Sequence, residues 1–284
     1  MPLLQLRGGE VDGLSLHYLV EGRGPAVVLV HGLGGFAESW RHNVGPLAER
    51  ATVYSLDLPG FGRSAKPLAH YGLADFAGAL HGFIEALGLP PVALVGHSLG
   101  GAVALTYALT HPARVERLAL ISTLVPGFGG FRLSRALRYL TVFGVGEVLS
   151  LMAGRRVFRS SLAHCFHRPV AAEVEFLVEC HYAERAGAPA RAAYLATLRH
   201  VREDFVDRGE AYRRAVSTLD LPLLLIHGRE DRVVPAAHCT ELAEGVPRAR
   251  LRWIDECGHF PQIEQPAVVN GWLSQFLASR PAPR

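Results

Sequence analysis

Ala26-Val27-Val28-Leu29-Val30 is apolar at every position, the pattern of a strand buried on both faces. Ala51–Leu56, Val92–Val95, Arg117–Ser122 and Leu221–Ile226 read as further buried strands, and Ala249–Ile254 is the last strand. Leu14–Val20 largely alternates, as a strand with one wetter face does. Between these stretches the spacing becomes helical. In Leu73–Leu87, the side chains of Phe76, Leu80, Phe83, Ile84 and Leu87 fall on or near one face. Gly101–Leu109 reads as a buried helix, and helices are expected at about Ala236–Glu244 and Pro266–Ala278. Strands alternating with helices predict an α/β fold, a mostly parallel central sheet with helices on both faces.

Between Ser122 and Leu219 that alternation stops. Leu133, Leu137 and Leu140, then Phe176, Leu177 and Cys180, then Tyr194, Leu195 and Leu198 have helical spacing, and no buried strand stands out. The pattern divides the chain into a core domain (1–124 and 216–284) and a helical insertion (125–215). The insertion is expected over the C-terminal edge of the sheet, where ligands bind in open α/β folds. Half of the 28 arginines lie in it, against nine acids, so it carries about +5. That charge suits either an acidic substrate guided inward or a solvated helical surface. Leu133, Leu137, Leu140, Phe143, Leu149, Leu151 and Met152 are expected to line an acyl pocket or to pack the insertion onto the core.

Composition narrows the class. The chain has 284 residues, 49% of them hydrophobic and 19% charged, which suits one large core and excludes disorder. A net charge of +3, spread along the chain, does not suit nucleic-acid binding. Cys165, Cys180, Cys239 and Cys257 form no C-x-x-C pair, so neither zinc nor thiol redox chemistry is indicated. Reduced thiols, with no signal-peptide pattern in Met1–Glu10, lead to the expectation of a cytoplasmic protein. Val92–Thr110 is uncharged (with His97 neutral) and approaches the length of a membrane span, but a glycine-rich break divides it into strand, turn and helix. Nothing in the pattern sets an oligomeric state.

That break is where the chemistry begins. Gly96-His97-Ser98-Leu99-Gly100 is a G-x-S-x-G sequence between a buried strand and a buried helix, the context of a nucleophile elbow. A serine hydroxyl needs an adjacent base, and the base needs an orienting acid. In this architecture they follow in the order serine, acid, histidine. Asp231 follows the Leu221–Ile226 strand and His259 follows the last one, so both should reach the edge that holds Ser98. Glu230 is a rival acid; Asp255 is too close to His259 in sequence, and Ser122 and Thr123 occupy the alternative acid position. His31 and His97 are read as structural residues bonding loop backbone, and His238 as a helix residue. Oxyanion donors are expected from the backbone N–H of Leu99 and of Leu33, the latter in His31-Gly32-Leu33-Gly34-Gly35, with Gly34 as the fallback. That loop lacks the full dinucleotide fingerprint, and no cofactor or metal is called for.

Taken together, the His31-Gly32 loop, Asp57-Leu58-Pro59-Gly60-Phe61-Gly62-Arg63-Ser64, the elbow at Ser98, Asp231 and His259 resemble the α/β-hydrolase superfamily over nearly the whole chain. The resemblance implies the α/β-hydrolase fold, a helical cap formed by the insertion, and a structural role for the Asp57–Ser64 loop. Within the superfamily, a serine at position 98 disfavours dehalogenases and epoxide hydrolases, which carry aspartate there. Leu99 departs from the tryptophan usual in prolyl iminopeptidases. His97 departs from the asparagine frequent in carbon–carbon bond hydrolases of ring-cleavage products. The expectation that results is a cofactor-independent serine esterase, lipase-like and acting on a small-molecule carboxylic ester. The alternative is carbon–carbon bond hydrolysis of a dienoic diketo acid. A third reading, of another class, is a ligand sensor that retains the triad.

Overall fold

The computed structural model describes residues 2–8, 11–67, 69–129, 135–185 and 187–279. Eight strands form one sheet: β1 (Leu3–Gln5), β2 (Ser15–Glu21), β3 (Ala26–Val30), β4 (Thr52–Leu56), β5 (Val92–His97), β6 (Val115–Ile121), β7 (Leu223–Gly228) and β8 (Ala249–Ile254). Their order is β1-β2-β4-β3-β5-β6-β7-β8. β2 is antiparallel to both of its neighbours, β1 and β4, and the six strands β3 to β8 are mutually parallel. This is the α/β architecture expected from the alternation, and the α/β-hydrolase fold that the resemblance implies. β3, β5 and β7 are buried throughout, which is why β3 and the stretches Val92–Val95 and Leu223–Ile226 read as apolar runs.

The helices fall on both faces. α1 (Val44–Ala48), α2 (Leu73–Ala86) and α3 (Leu99–Thr110) come before the break in rhythm. α4 (Arg135–Leu140), α5 (Val145–Met152), α6 (Arg155–Cys165), α7 (Ala171–Arg185), α8 (Ala188–Asp207) and α9 (Gly209–Ser217) lie within it. α10 (Ala236–Gly245), α11 (Pro261–Glu264) and α12 (Pro266–Ala278) follow. Alternate strand residues serve opposite cores. Val28, Leu94, Leu118 and Leu225 pack with α2, α3 and α10, whereas Val27, Val95, Ala119 and Leu224 pack with α1 and α12.

Between β6 and β7 the described residues contain no strand. Two attachments tie this helical segment to the sheet domain. Phe166, Val174, Leu177 and Val178 bury against Phe36 and Ile263. Asp204, near the end of α8, accepts the Leu73 N–H at 2.8 Å, and His200 accepts the Tyr71 N–H at 3.0 Å. The apolar residues expected to line a pocket or to pack inward behave otherwise: Phe143, Leu149, Leu151 and Met152 are exposed. Helical spacing fixes which side chains share a face but not which way that face points, and here it points outward. Leu140 is half-buried; Leu133 and the side chain of Leu137 lie outside the described residues.

Candidate active site

Ser98 stands at the junction of β5 and α3 with φ 52° and ψ −120°, a left-handed backbone for a residue with a Cβ. The turn is held from both sides. Ser98 N–H donates to the Ile121 carbonyl at 2.9 Å, continuing the β5–β6 ladder. A Cβ on Gly100 would overlap the carbonyls of Val30 and His31, and one on Gly96 would sit 2.5 Å from the Gly100 oxygen. Only glycines let strand, turn and helix approach this closely. The serine side chain stays half-buried rather than sealed.

His259 lies after β8 and Asp231 after β7, so the parallel sheet delivers both loops to the Ser98 edge. The His259 Nε2 is 3.1 Å from Ser98 Oγ, and its Nδ1 is 2.9 Å from Asp231 Oδ2. With Nδ1–H donating to the carboxylate, the Nε2 lone pair faces the serine hydroxyl. Asp231 is itself fixed: its Oδ1 accepts the N–H groups of Val233 at 2.8 Å and Val234 at 2.9 Å. Burial alone would raise its pKa, but the His259 imidazole beside it, helped by His227 and the Val234 N–H, holds it down at about 2. Asp231 is therefore a carboxylate throughout the working pH range.

The rival acids are engaged elsewhere. Glu230 accepts the Cys257 N–H at 2.9 Å, and Asp255 pairs with Arg229. His31 and His97 bond loop backbone, as read from the sequence. His31 donates from Nδ1 to the Gly32 carbonyl at 2.7 Å and accepts the Leu58 N–H on Nε2 at 3.0 Å. His97 donates from Nε2 to the His259 carbonyl at 2.8 Å. Burial, reinforced by the nearby His259 ring, lowers the His97 imidazole to about 3, so it stays a neutral brace. Asp57 is buried and accepts from His17 Nδ1 at 2.7 Å and the Arg63 N–H at 2.8 Å, locking its own loop.

The loop after β3 lies against the nucleophile: a Cβ on Gly32 would sit 3.1 Å from that of Ser98. Neither Leu33 N–H nor Leu99 N–H has an acceptor among the described residues, and Leu99, first in α3, has none a turn earlier. Across this loop come two side chains from the helical segment. The position a Gly34 Cβ would take is 3.3 Å from His181 of α7 and 3.5 Å from Tyr194 of α8. A cleft of about 550 Å³ between α5, α8, Pro67 and Ala69-His70-Tyr71 contains none of Ser98, Asp231 or His259. Groups of three or more His, Cys, Asp or Glu able to hold a metal ion do not occur among the described residues.

Sequence reasoning did not single out Glu264, His227 or His181. Glu264 organises the His259 loop: it accepts the N–H groups of Gly258 at 3.0 Å and Phe260 at 3.2 Å through one oxygen, and that of His167 at 2.8 Å through the other. The His259 N–H itself donates to the Cys165 carbonyl at the end of α6, at 2.7 Å. His227 donates to the Val234 carbonyl at 3.0 Å and lies 3.5 Å from Asp231 Oδ2. The only signal for Glu264 was a proline three residues before it, opening a helical turn.

The family model for the alpha/beta hydrolases matches residues 27–272. The chain belongs to the alpha/beta hydrolase family. Among curated relatives, a 2-hydroxymuconate semialdehyde hydrolase of Pseudomonas sp. (strain CF600) is 30% identical, over 95% of this alpha/beta hydrolase and 93% of the relative. Among solved structures, a meta-cleavage product hydrolase from Pseudomonas fluorescens IP01 is 25% identical with a TM-score of 0.82, covering 98% of this chain and 97% of that one. A membrane phospholipase A described as a bacterial virulence factor is 28% identical with a TM-score of 0.79, covering 97% and 84%.

Proposed function

We propose that this alpha/beta hydrolase cleaves the carbon–carbon bond beside the aldehyde or ketone carbonyl of an oxo-dienoic acid, the product class of aromatic ring cleavage. The observation that carries this reading is its likeness to the 2-hydroxymuconate semialdehyde hydrolase along 95% and 93% of the two chains. The geometry around Ser98 supplies suitable machinery. Ser98 Oγ attacks that carbonyl while its proton passes to His259 Nε2, across the 3.1 Å contact. Asp231, ionised and buried, holds the imidazole tautomer and stabilises the imidazolium. The free N–H groups of Leu33 and Leu99 receive the oxyanion. The carbon–carbon bond then breaks, the dienol fragment leaves with a proton from His259, and water releases the acyl group from Ser98 by the same steps. Residues 125–215 act as a cap, with His181 and Tyr194 beside Gly34 offering polar contacts to the acid end of the substrate.

Carboxylic ester hydrolysis by the same three residues is the second reading. It is favoured by His97, where ring-cleavage hydrolases frequently carry asparagine, and by the likeness to a phospholipase A. A panel of ring-cleavage acids and p-nitrophenyl esters, run with wild type and Ser98→Ala, separates the two. The proposal expects kcat/KM for a ring-cleavage acid to exceed that for every ester, and both activities to vanish in Ser98→Ala. Efficient ester turnover with no cleavage of any dienoic acid overturns it in favour of the esterase.

A further inference from the structure

α5 is built inside out. Its inward side is small: Gly146 is buried against the Leu140 carbonyl and Ser150 is half-buried. Its outward side carries Val145, Val148, Leu149, Leu151 and Met152, an arc of roughly 160° at 100° per residue. Leu151 is 67% exposed and Met152 75%. The apolar surface extends to the neighbouring elements: Tyr139 and Val142 precede it, Phe143 is 79% exposed, and Val157 of α6 follows. Phe143 is held in place rather than loose, with the Arg199 guanidinium 3.9 Å from its ring. Arg199 is fixed in turn by Glu147 at 2.8 Å. A helix that spends glycine and serine on its contacts and leaves two valines, two leucines and a methionine in water is shaped for a second, apolar phase.

The rim of this surface is basic. Arg138 and Arg202 flank a cleft of about 530 Å³ whose described lining, completed by Tyr139, Thr141 and Val142, holds no carboxylate. Neither guanidinium has an ion-pair partner among the described residues, and nor does that of Arg156 on α6. Other arginines of the segment are neutralised: Arg155 and Arg159 pair with Glu175, and Arg168 with Glu256. Between Arg138 and Arg159 the only acid is Glu147, which is taken up by Arg199 and the Gly144 N–H.

We propose that the α4–α6 face docks this protein on an anionic lipid surface. The outward side chains of α5 enter the boundary between headgroups and acyl chains, and Arg138, Arg156 and Arg202 meet the lipid phosphates. The protein lies on the membrane by this face and does not cross it; no described helix is long and apolar enough to span a bilayer. A second copy is a poorer occupant, because a two-fold contact through this face brings the unpartnered arginines of both copies together.

The test is flotation of the full-length protein with vesicles of phosphatidylcholine, alone or mixed with phosphatidylglycerol. Wild type is expected to float with the mixed vesicles, far less with the neutral ones, and to be released by salt. Each arginine near an anionic surface contributes about fivefold in affinity, so Arg138→Glu/Arg202→Glu should weaken binding by about tenfold or more. Leu151→Glu/Met152→Glu should do the same through loss of the apolar contact. Both variants should keep wild-type turnover of a water-soluble substrate, which also verifies their folding. Three results overturn the proposal. One is no binding to mixed vesicles; another is binding that neither double variant weakens. The third is a dimeric wild type that Leu151→Glu/Met152→Glu turns into a monomer, since a second copy then covers the face.

Discussion

Ser98 holds a backbone conformation that few side chains tolerate, at φ 52° and ψ −120°. Such a conformation costs about 1–3 kcal/mol and persists only where the surroundings over-determine it. Here they do, through the Ile121 carbonyl on one side and the glycine contacts on the other. Replacing Ser98 by glycine should therefore leave the protein about 1 kcal/mol more stable than Ser98→Ala, read as a higher urea midpoint, while both lose hydrolysis. Equal midpoints would show that the elbow carries no strain. Asp231 makes a second case at this scale. Asp231→Asn retains an oxygen for the Val233 and Val234 N–H groups but presents the wrong hydrogen-bonding partner to His259. With its tautomer control removed, kcat should drop by about 10⁴-fold with little change in KM. Ser98, Asp231 and His259 could be picked out of the sequence because each follows the C-terminal end of a strand, and parallel strands bring those ends to one edge. His227 could not: its ring reaches Asp231 only through the turn that Gly228–Asp231 makes in three dimensions.

The loop carrying His259 shows what one short helix can do for a catalytic element. Glu264, the last residue of α11, gathers three backbone N–H groups, two of them flanking His259 and one from His167 in the helical segment. Removing that carboxylate in Glu264→Ala should let the imidazole wander, and a misplacement of about 1 Å can cost ~10²-fold in rate. Glu264→Gln keeps an oxygen for Gly258 and Phe260 but turns an NH₂ toward His167. Its kcat should lie well above that of the alanine variant, with the shortfall appearing in KM. If the two variants fall equally in kcat, the carboxylate acts on folding rather than on the loop. At this scale the sequence was readable where burial is uniform or alternates, or where a proline opens a long helix. β3, β8 and α12 begin and end at the residues the pattern indicated. β1 was missed because three residues at an antiparallel edge leave no period, and α1 and α11 because five and four residues do not complete a stripe. α5 misled for a different reason: its apolar residues have the right spacing and the opposite direction.

At the scale of the whole molecule, four of the buried imidazoles set the response to acid. His31, His97, His227 and His238 are all buried, and burial lowers the pKa of each below the ordinary 6.5, to about 3 for His97 and about 4 for His238. The native state keeps these rings neutral while the unfolded chain protonates them. Their contribution to stability is therefore complete above pH 6.5 and is lost as pH falls from there toward the folded values. By pH 4 the loss from His97 and from His238 is roughly 3 kcal/mol each, with His31 and His227 adding in the same direction. A sum of that size rivals the about 5–15 kcal/mol that holds a domain together. The protein should unfold in the interval below pH 6.5 and well above pH 2, where Asp231 would take up its proton, so Asp231 itself never limits activity in a folded molecule. Urea midpoints taken at intervals from pH 7 to pH 4 measure the slope. His238→Gln isolates one contributor, because the amide oxygen still accepts the Val125 N–H that His238 Nε2 takes at 2.8 Å, yet nothing there titrates. The variant should resemble wild type near neutrality and lose stability less steeply on acidification. A slope unchanged by that substitution would mean that the acid sensitivity originates elsewhere than in this buried ring.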